Sequence, residues 1–222
     1  MGTLHLVRHG QASFGSDDYD RLSDLGVRQC RRLGEYWAAR GQRFSAVLRG
    51  TLRRQEQSLQ AVQEGLGQVL EPVVFPGLNE YDSAAVLRTV HPEPLGSSTT
   101  PDGYRHHFRL LRQGLAAWMD GQVQPQGMPT YRDWLAGVVA ALDHVRTQCD
   151  GHVLLVSSGG PISTAVGHVL GMPAVGTIEL NMRIRNSAVS EFSFNPKRHV
   201  LGTFNHLPHL DDPALADWIT YT

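Results

Sequence analysis

Three polar clusters carry the side chains that can do chemistry, and each follows a short apolar run. Arg8-His9-Gly10 follows Leu4 to Val7, Arg49-Gly50 and the Arg53-Arg54 pair follow Phe44 to Leu48, and Ser157-Ser158-Gly159-Gly160-Pro161 follows Val153 to Val156. Arginine presents a planar fork suited to bidentate binding of phosphate or carboxylate. A helix opened by glycines, with Pro161 at its first position, presents free backbone N–H groups and a positive dipole end. Together these residue types describe an anion site with phosphate as the leading candidate, and His9 stands in its middle. A neutral imidazole beside phosphoryl oxygens can attack phosphorus and carry the phosphoryl group covalently. Neighbouring arginines lower its pKa and stabilise charge on the transferring group. The departing alkoxide then needs an acid, and Glu80 within Gly77-Leu78-Asn79-Glu80-Tyr81-Asp82 fills that place ahead of Asp82.

The spacing of apolar residues predicts the elements that hold these clusters. Strands are expected at Leu4 to Val7, Phe44 to Leu48, Val73 to Phe75 and Val153 to Val156. Ser23 is expected to cap a helix that Gly41 ends, and further helices are expected over Leu52 to Gly65, Tyr104 to Met119, Tyr131 to Val145 and Pro161 to Leu170. Residues 92 to 103 read as loop, and Ile178 to Leu180, Ala188 to Phe194 and Val200 to Phe204 read as closing strands. Continuous apolar strands alternating with helices indicate a three-layer α/β fold: a mostly parallel central sheet with helices on both faces. The economical organisation is one domain over residues 1–222 with a lid-like helical insertion at about 84–130. Ligands of open α/β sheets bind beyond the carboxyl ends of strands, which is where all three clusters fall.

Composition removes several classes. Of the 20 basic residues, Lys197 is the only lysine, so 19 are arginines. A Walker A phosphate loop ends in Gly-Lys-Ser/Thr and is therefore excluded. A net charge of −1 argues against general binding to nucleic acid or a membrane surface. Cys30 and Cys149 lie far apart and suit a reducing, cytoplasmic setting, and no apolar run has the length of a membrane span or a secretion signal. His199, His206 and His209 lack the Cys or carboxylate companions of a metal site and read as polar surface. Ser158 is not a hydrolase nucleophile of the elbow type, because Val156 stands where that turn needs glycine.

Leu4-His5-Leu6-Val7-Arg8-His9-Gly10 resembles the opening of the histidine phosphatase superfamily, the phosphoglycerate mutase-like proteins. Leu22-Ser23-Asp24-Leu25-Gly26 with Gln29, Leu52-Arg53-Arg54 with Ser58, Leu78-Asn79-Glu80, and Val156-Ser157-Ser158-Gly159-Gly160 are similar to its later motifs in the same order, spanning residues 4 to 170. The resemblance implies a metal- and cofactor-free phosphatase of the histidine acid phosphatase type acting on a small phosphorylated substrate. It makes His9 the phospho-accepting nucleophile, Glu80 the proton donor, and Arg8 and Arg54 the phosphate clamps, with Ser158 and Gly159 at the phosphate.

Two departures shape the expectation. Ser158 stands where the family pattern has its second histidine, so the site loses a positive charge and weaker catalysis, about tenfold or more, is expected. The serine has two open roles, phosphate contact or cap of the following helix, and His206 or His209 are candidates for the missing imidazole. Gly15 replaces an asparagine of the mutase branch, which favours a phosphatase. The alternatives are a degenerate member that binds a phosphorylated ligand without turning it over, and, third, a phosphoglycerate mutase-type phosphotransferase. Arg88, Arg105 and Arg109 in the insertion are candidates for reading a second anionic group.

Overall fold

The computed structural model describes residues 1–13, 20–93 and 100–221, so Gly15 lies outside the described residues. Six strands form one sheet: β1 (Gly2–Arg8), β2 (Ala46–Arg49), β3 (Val73–Val74), β4 (Gly151–Ser157), β5 (Val189–Asn195) and β6 (Arg198–His206). Their order is β3-β2-β4-β1-β5-β6. The β2–β3, β2–β4 and β1–β4 pairs are parallel, whereas β5 and β6 add antiparallel strands at one side. The central neighbours β1 and β4 run in register with Arg8 opposite Ser157. Two of the three polar clusters therefore leave the sheet side by side.

The helices are α1 (Asp24–Ala38), α2 (Arg53–Leu66), α3 (Ser83–Arg88), α4 (Pro101–Met119), α5 (Tyr131–Gln148), α6 (Gly159–Leu170) and α7 (Ala174–Asn181). Strand side chains alternate between two cores, as the two-residue period of a pleated strand requires. Leu4 and Leu6 of β1, with Val153 and Leu155 of β4, pack with Trp118, Trp134, Val138 and Ile162 from α4, α5 and α6. Val7, Leu154 and Val156 pack on the other face with Cys30, Leu33, Leu59 and Val62 from α1 and α2. This is the expected three-layer α/β architecture. Among the described residues, no helix is long and apolar enough to cross a membrane.

Four local expectations need correction. Ile178 to Leu180 is not a strand but the end of α7, since three residues are too few to distinguish the period of a helix from that of a strand; Ile178 is buried while Glu179 faces outward to pair with Arg112. Residues 101 to 103 are not loop. Thr100 caps α4 by accepting from Gly103 N–H, with Pro101 in the first turn. Asp82 caps the unanticipated α3 through Ala85 N–H, which gives it a structural job distinct from that of Glu80. The helix expected to open at Pro161 opens two residues earlier, at Gly159, for a reason that lies in the site.

Helices α1 and α2 touch backbone to backbone. A Cβ on Gly34 would lie 2.1 Å from the Val62 carbonyl oxygen, and one on Gly65 would lie 2.1 Å from that of Arg31. Neither neighbour is a side chain able to swing away, so the helices must separate to admit a methyl group. Gly34→Ala is expected to lower unfolding free energy by about 1–3 kcal/mol, measured by urea denaturation. An unchanged midpoint would contradict this close crossing.

Candidate active site

The site begins with the backbone at the end of β1. His9 N–H donates to the Ser157 carbonyl at 2.8 Å, so the histidine is held against the end of β4. Its carbonyl accepts from Ser187 N–H at 3.2 Å and from Asn186 Nδ2 at 3.3 Å. Ser187 has φ of 56°, in the left-handed region that costs a non-glycine residue free energy, and it bonds the Arg8 carbonyl as well.

The ring of His9 is fixed by complementary partners. Nδ1 lies 2.7 Å from the Gly10 carbonyl oxygen, an acceptor only, so Nδ1 carries the proton. Arg54 Nε, a donor only, lies 3.3 Å from Nε2, so the lone pair is on Nε2. His9 is only 2% exposed. Burial first, then the charges of Arg8 and Arg54, hold its pKa well below the usual histidine value, while the bond to Gly10 opposes them incompletely. The result is a neutral imidazole with its lone pair facing a guanidinium.

Both arginines are placed by partners outside the expected motifs. One terminal nitrogen of Arg8 donates to the carbonyls of Ile184 at 2.6 Å and Tyr221 at 3.0 Å, drawing the C-terminal segment against the site. Arg54 is paired with Asp20 at 2.7 Å, and the same carboxylate accepts from Arg53 N–H at 2.9 Å. Asp20 thus supplies the cap that Leu52 cannot give α2 and aims Arg54 along the way. Of the neighbouring pair, Arg54 is the one turned to His9.

Glu80 closes the other side. Both its carboxylate oxygens lie 3.1 Å from Gly160 N, so it caps α6 in place of a local side chain. That is why α6 opens at Gly159. A Cβ on Gly160 would fall 2.1 Å from Glu80 Oε1, so glycine is required for this approach. Glu80 keeps some exposure, yet protein packs closely round its carboxyl, and this desolvation pushes its pKa up. The Gly160 bond and the charges of Arg54 and Arg8 pull the other way without cancelling it.

Ser158 is fully buried and makes no side-chain cap; its Oγ accepts from Gln55 Nε2 at 2.9 Å. Gly159 lies beside it, with Asn181 and Ile184 crowding its Cα. His209 does not stand in for a histidine at 158. Its Nε2 lies 2.9 Å from Ser187 Oγ, behind the His9 backbone, and burial lowers its pKa to about 3. His206 is exposed at the end of β6. In the insertion, Arg105 pairs with Asp102 and Arg109 with His106 along α4, and Arg88 is exposed at the end of α3. Next to Glu80, Tyr81 and Gly160 border a small cavity of about 20 Å³, room for a single water, whose walls include Trp118, Tyr131, Trp134 and Ile178, with no charged side chain. Sequence reasoning missed Asp20, Gln55, Asn186 and Ser187. Asp20 alone offered a signal, an acid in the loop that follows Arg8-His9.

Residues 4–206 match the profile of the family described as histidine phosphatase superfamily (branch 1). A 2,3-bisphosphoglycerate-dependent phosphoglycerate mutase of Sinorhizobium fredii is 36% identical over 89 residues, which is 36% of this chain and 42% of that protein. The mutase of the same description from Methylorubrum populi is 30% identical over 86 residues, covering 36% and 41%. The matches thus span less than half the length of these curated relatives. Among solved structures, the phosphoserine phosphatase of Entamoeba histolytica in complex with 3-phosphoglyceric acid superposes with a TM-score of 0.65 at 20% identity, over 95% of this chain and 100% of that one. A mycobacterial glucosyl-3-phosphoglycerate phosphatase complexed with VO3 gives 0.66 at 22% identity, over 92% and 99%. These structural likenesses establish the fold.

Neutral buried histidines make stability depend on pH with a definite sign. A histidine whose pKa is depressed on folding contributes its full stability above the unfolded value of about 6.5 and loses it as pH falls towards the folded value. For His209 that window runs from about 6.5 down to about 3. The urea midpoint is expected to fall between pH 7 and pH 5, and His209→Gln is expected to flatten the decline. A midpoint that rises on acidification would contradict the burial of these rings as neutral groups.

Proposed function

The chain belongs to the histidine phosphatase superfamily, and from that premise we propose that it is a phosphomonoester hydrolase working through a phosphohistidine on His9. The observation that carries this reading is the ring of His9: Nδ1–H is committed to Gly10, so Nε2 faces Arg54 with its lone pair. A phosphoryl group entering between them takes over the Arg54 donor and meets the nucleophilic nitrogen. Nε2 attacks phosphorus, the P–O ester bond breaks, and the alkoxide leaves with the proton of Glu80. Water then attacks the phosphohistidine and gives its proton to the Glu80 carboxylate, and inorganic phosphate departs with His9 restored. Arg8 and Arg54 neutralise charge on the transferring group throughout, and no step passes through a metal or cofactor.

The substrate in this reading is a small phosphorylated molecule. Leu115, Trp118 and Met119 from the 84–130 insertion contribute to the uncharged wall beside Glu80, which supports a lid role for that segment. Residues 1–222 act as one unit here. Two cysteines outside any disulfide, Cys30 buried and Cys149 half-buried, support a cytoplasmic setting. A mutase reading has one specific support, the description of the two curated relatives. It is tested by following isomerisation of 3-phosphoglycerate, and hydrolysis without isomerisation is the expected result.

With p-nitrophenyl phosphate, His9→Ala is expected to lose about a thousandfold or more in kcat/KM. Equal turnover by wild type and variant would overturn the assignment, and absence of turnover by both would favour a ligand-binding member. The pH profile should be bell-shaped. Activity rises as His9 loses its proton at its lowered pKa and falls as Glu80 loses its own at its raised one. The optimum is therefore expected on the acid side of neutrality, and Glu80→Gln should remove the alkaline limb along with about a hundredfold of rate on alkyl phosphates. An optimum above pH 8 would contradict these roles.

A further inference from the structure

Gln55 is absent from the mechanism above, yet it sits where the mechanism's parts meet. It follows Arg54 on α2 and is fully buried. Its single side-chain amide donates twice, to the Leu78 carbonyl at 2.8 Å and to Ser158 Oγ at 2.9 Å. Ser157 Oγ donates to the same Leu78 carbonyl at 2.7 Å. Leu78 lies two residues before Glu80, so these bonds fix the stem of the loop that carries the proton donor. Asn79 ties the same loop to the start of α2: its Oδ1 accepts from Thr51 N–H at 2.7 Å, and its Nδ2 donates to Thr51 Oγ1 at 2.6 Å.

Stability does not explain the choice of glutamine. Its Oε1 is buried and meets no donor among the described residues, a cost that native structures tend to retain at functional places. An aliphatic side chain of the same length would fill the space without it. What an aliphatic chain cannot do is hold Leu78 and Ser158 at once.

We propose that Gln55 is a positioning residue that sets Glu80 against the leaving oxygen, and that Ser158 serves as its second anchor rather than as a ligand of the phosphate. The inference rests on the hydrolase reading above. It also accounts for serine at 158: the amide of Gln55 occupies the direction in which a longer side chain would extend from that position along the same rotamer. A histidine there would displace the amide and leave the Leu78 carbonyl with Ser157 Oγ alone of its two side-chain donors.

Misalignment of a general acid has a selective signature. An ester with a good leaving group needs little proton donation, whereas an alkyl phosphate depends on it. The test is steady-state kinetics of wild type, Gln55→Met, Ser158→Ala and Ser158→His on p-nitrophenyl phosphate and on phosphoserine, with inorganic phosphate as a product inhibitor. Gln55→Met keeps the volume and removes the donor. It is expected to lower kcat/KM on phosphoserine about tenfold or more, to change p-nitrophenyl phosphate less than about threefold, and to leave phosphate inhibition unchanged. Ser158→His is expected to show the same selective loss. Gln55→Leu, which also lacks the donor, repeats the comparison should the methionine variant unfold, and thermal unfolding of each variant separates loss of fold from loss of alignment.

Equal loss on both substrates, weakened phosphate inhibition, or a gain in rate from Ser158→His would overturn the proposal. His9→Ala is measured alongside. Retained turnover in that variant would sink the hydrolase reading itself, whereas its loss together with unselective Gln55 variants would sink only the positioning role.

Discussion

The hydrogen bond from His9 Nδ1 to the carbonyl of Gly10 sets the protonation pattern on which the proposed chemistry depends. It puts the proton on one ring nitrogen and leaves the other with the lone pair that the proposed hydrolase uses as its nucleophile. A bond between adjacent residues holds only if the backbone carrying them is immobile, and much of the structure serves that end. Gly10 N–H donates to Ser58 Oγ at 3.1 Å, which donates in turn to the Arg54 carbonyl at 2.7 Å. Gln11 N–H donates to the buried Gln29 at 2.8 Å, and Gln29 reaches the Trp218 carbonyl and Thr220. With the Ser157, Asn186 and Ser187 contacts, the turn after β1 is tied to β4, α1, α2 and the C-terminal segment together.

The electrostatics follow from the same crowding. Two guanidinium groups and a buried imidazole cannot all be charged at close range without cost, so the imidazole stays neutral. The carboxyl of Glu80 is desolvated and drawn towards its protonated form, although the helix terminus and the arginines oppose this. The protonated carboxyl and the neutral imidazole are thereby separated by environment, as the proposed two-step phosphoryl transfer requires. Arg54 is itself steadied by Asp20, whose charge the N-terminus of α2 helps to accommodate. The scarcity of lysine acquires a local meaning here. Arginine forks supply the positive charge beside His9, and the neutral Ser158 adds none.

Much of this was legible in the chain. The apolar runs ending in Arg8-His9 and Ser157-Ser158 identified the central strands, because a strand buried on both faces has no polar residues until it emerges. Their emergence side by side follows from the parallel register. Glu80 was legible for the same reason, as an acid just past a strand end. Position along the chain does not say which carbonyl a side chain will meet, so the partnership of Gln55 with Leu78 and Ser158 could not be read. The start of α6 was misplaced because its cap comes from Glu80, 80 residues away in sequence. Ile178 to Leu180 was misassigned because the apolar-polar-apolar order of Ile-Glu-Leu, over only three residues, fits helix and strand alike. The C-terminal contacts to Arg8 and Gln29 arise from backbone carbonyls, which carry no signature in the residue types.

In the proposed reaction the phosphoryl group passes through Nε2 of His9. The direct measurement is to quench wild-type protein during turnover of a phosphomonoester, keep the digest alkaline to preserve phosphohistidine, and locate the modified peptide by mass spectrometry. A phosphohistidine route gives one added phosphoryl group on the peptide containing His9, absent from His9→Ala and lost on acid treatment. A phosphoryl group on another residue, or efficient hydrolysis with no labelled histidine at any point in the turnover, would contradict it.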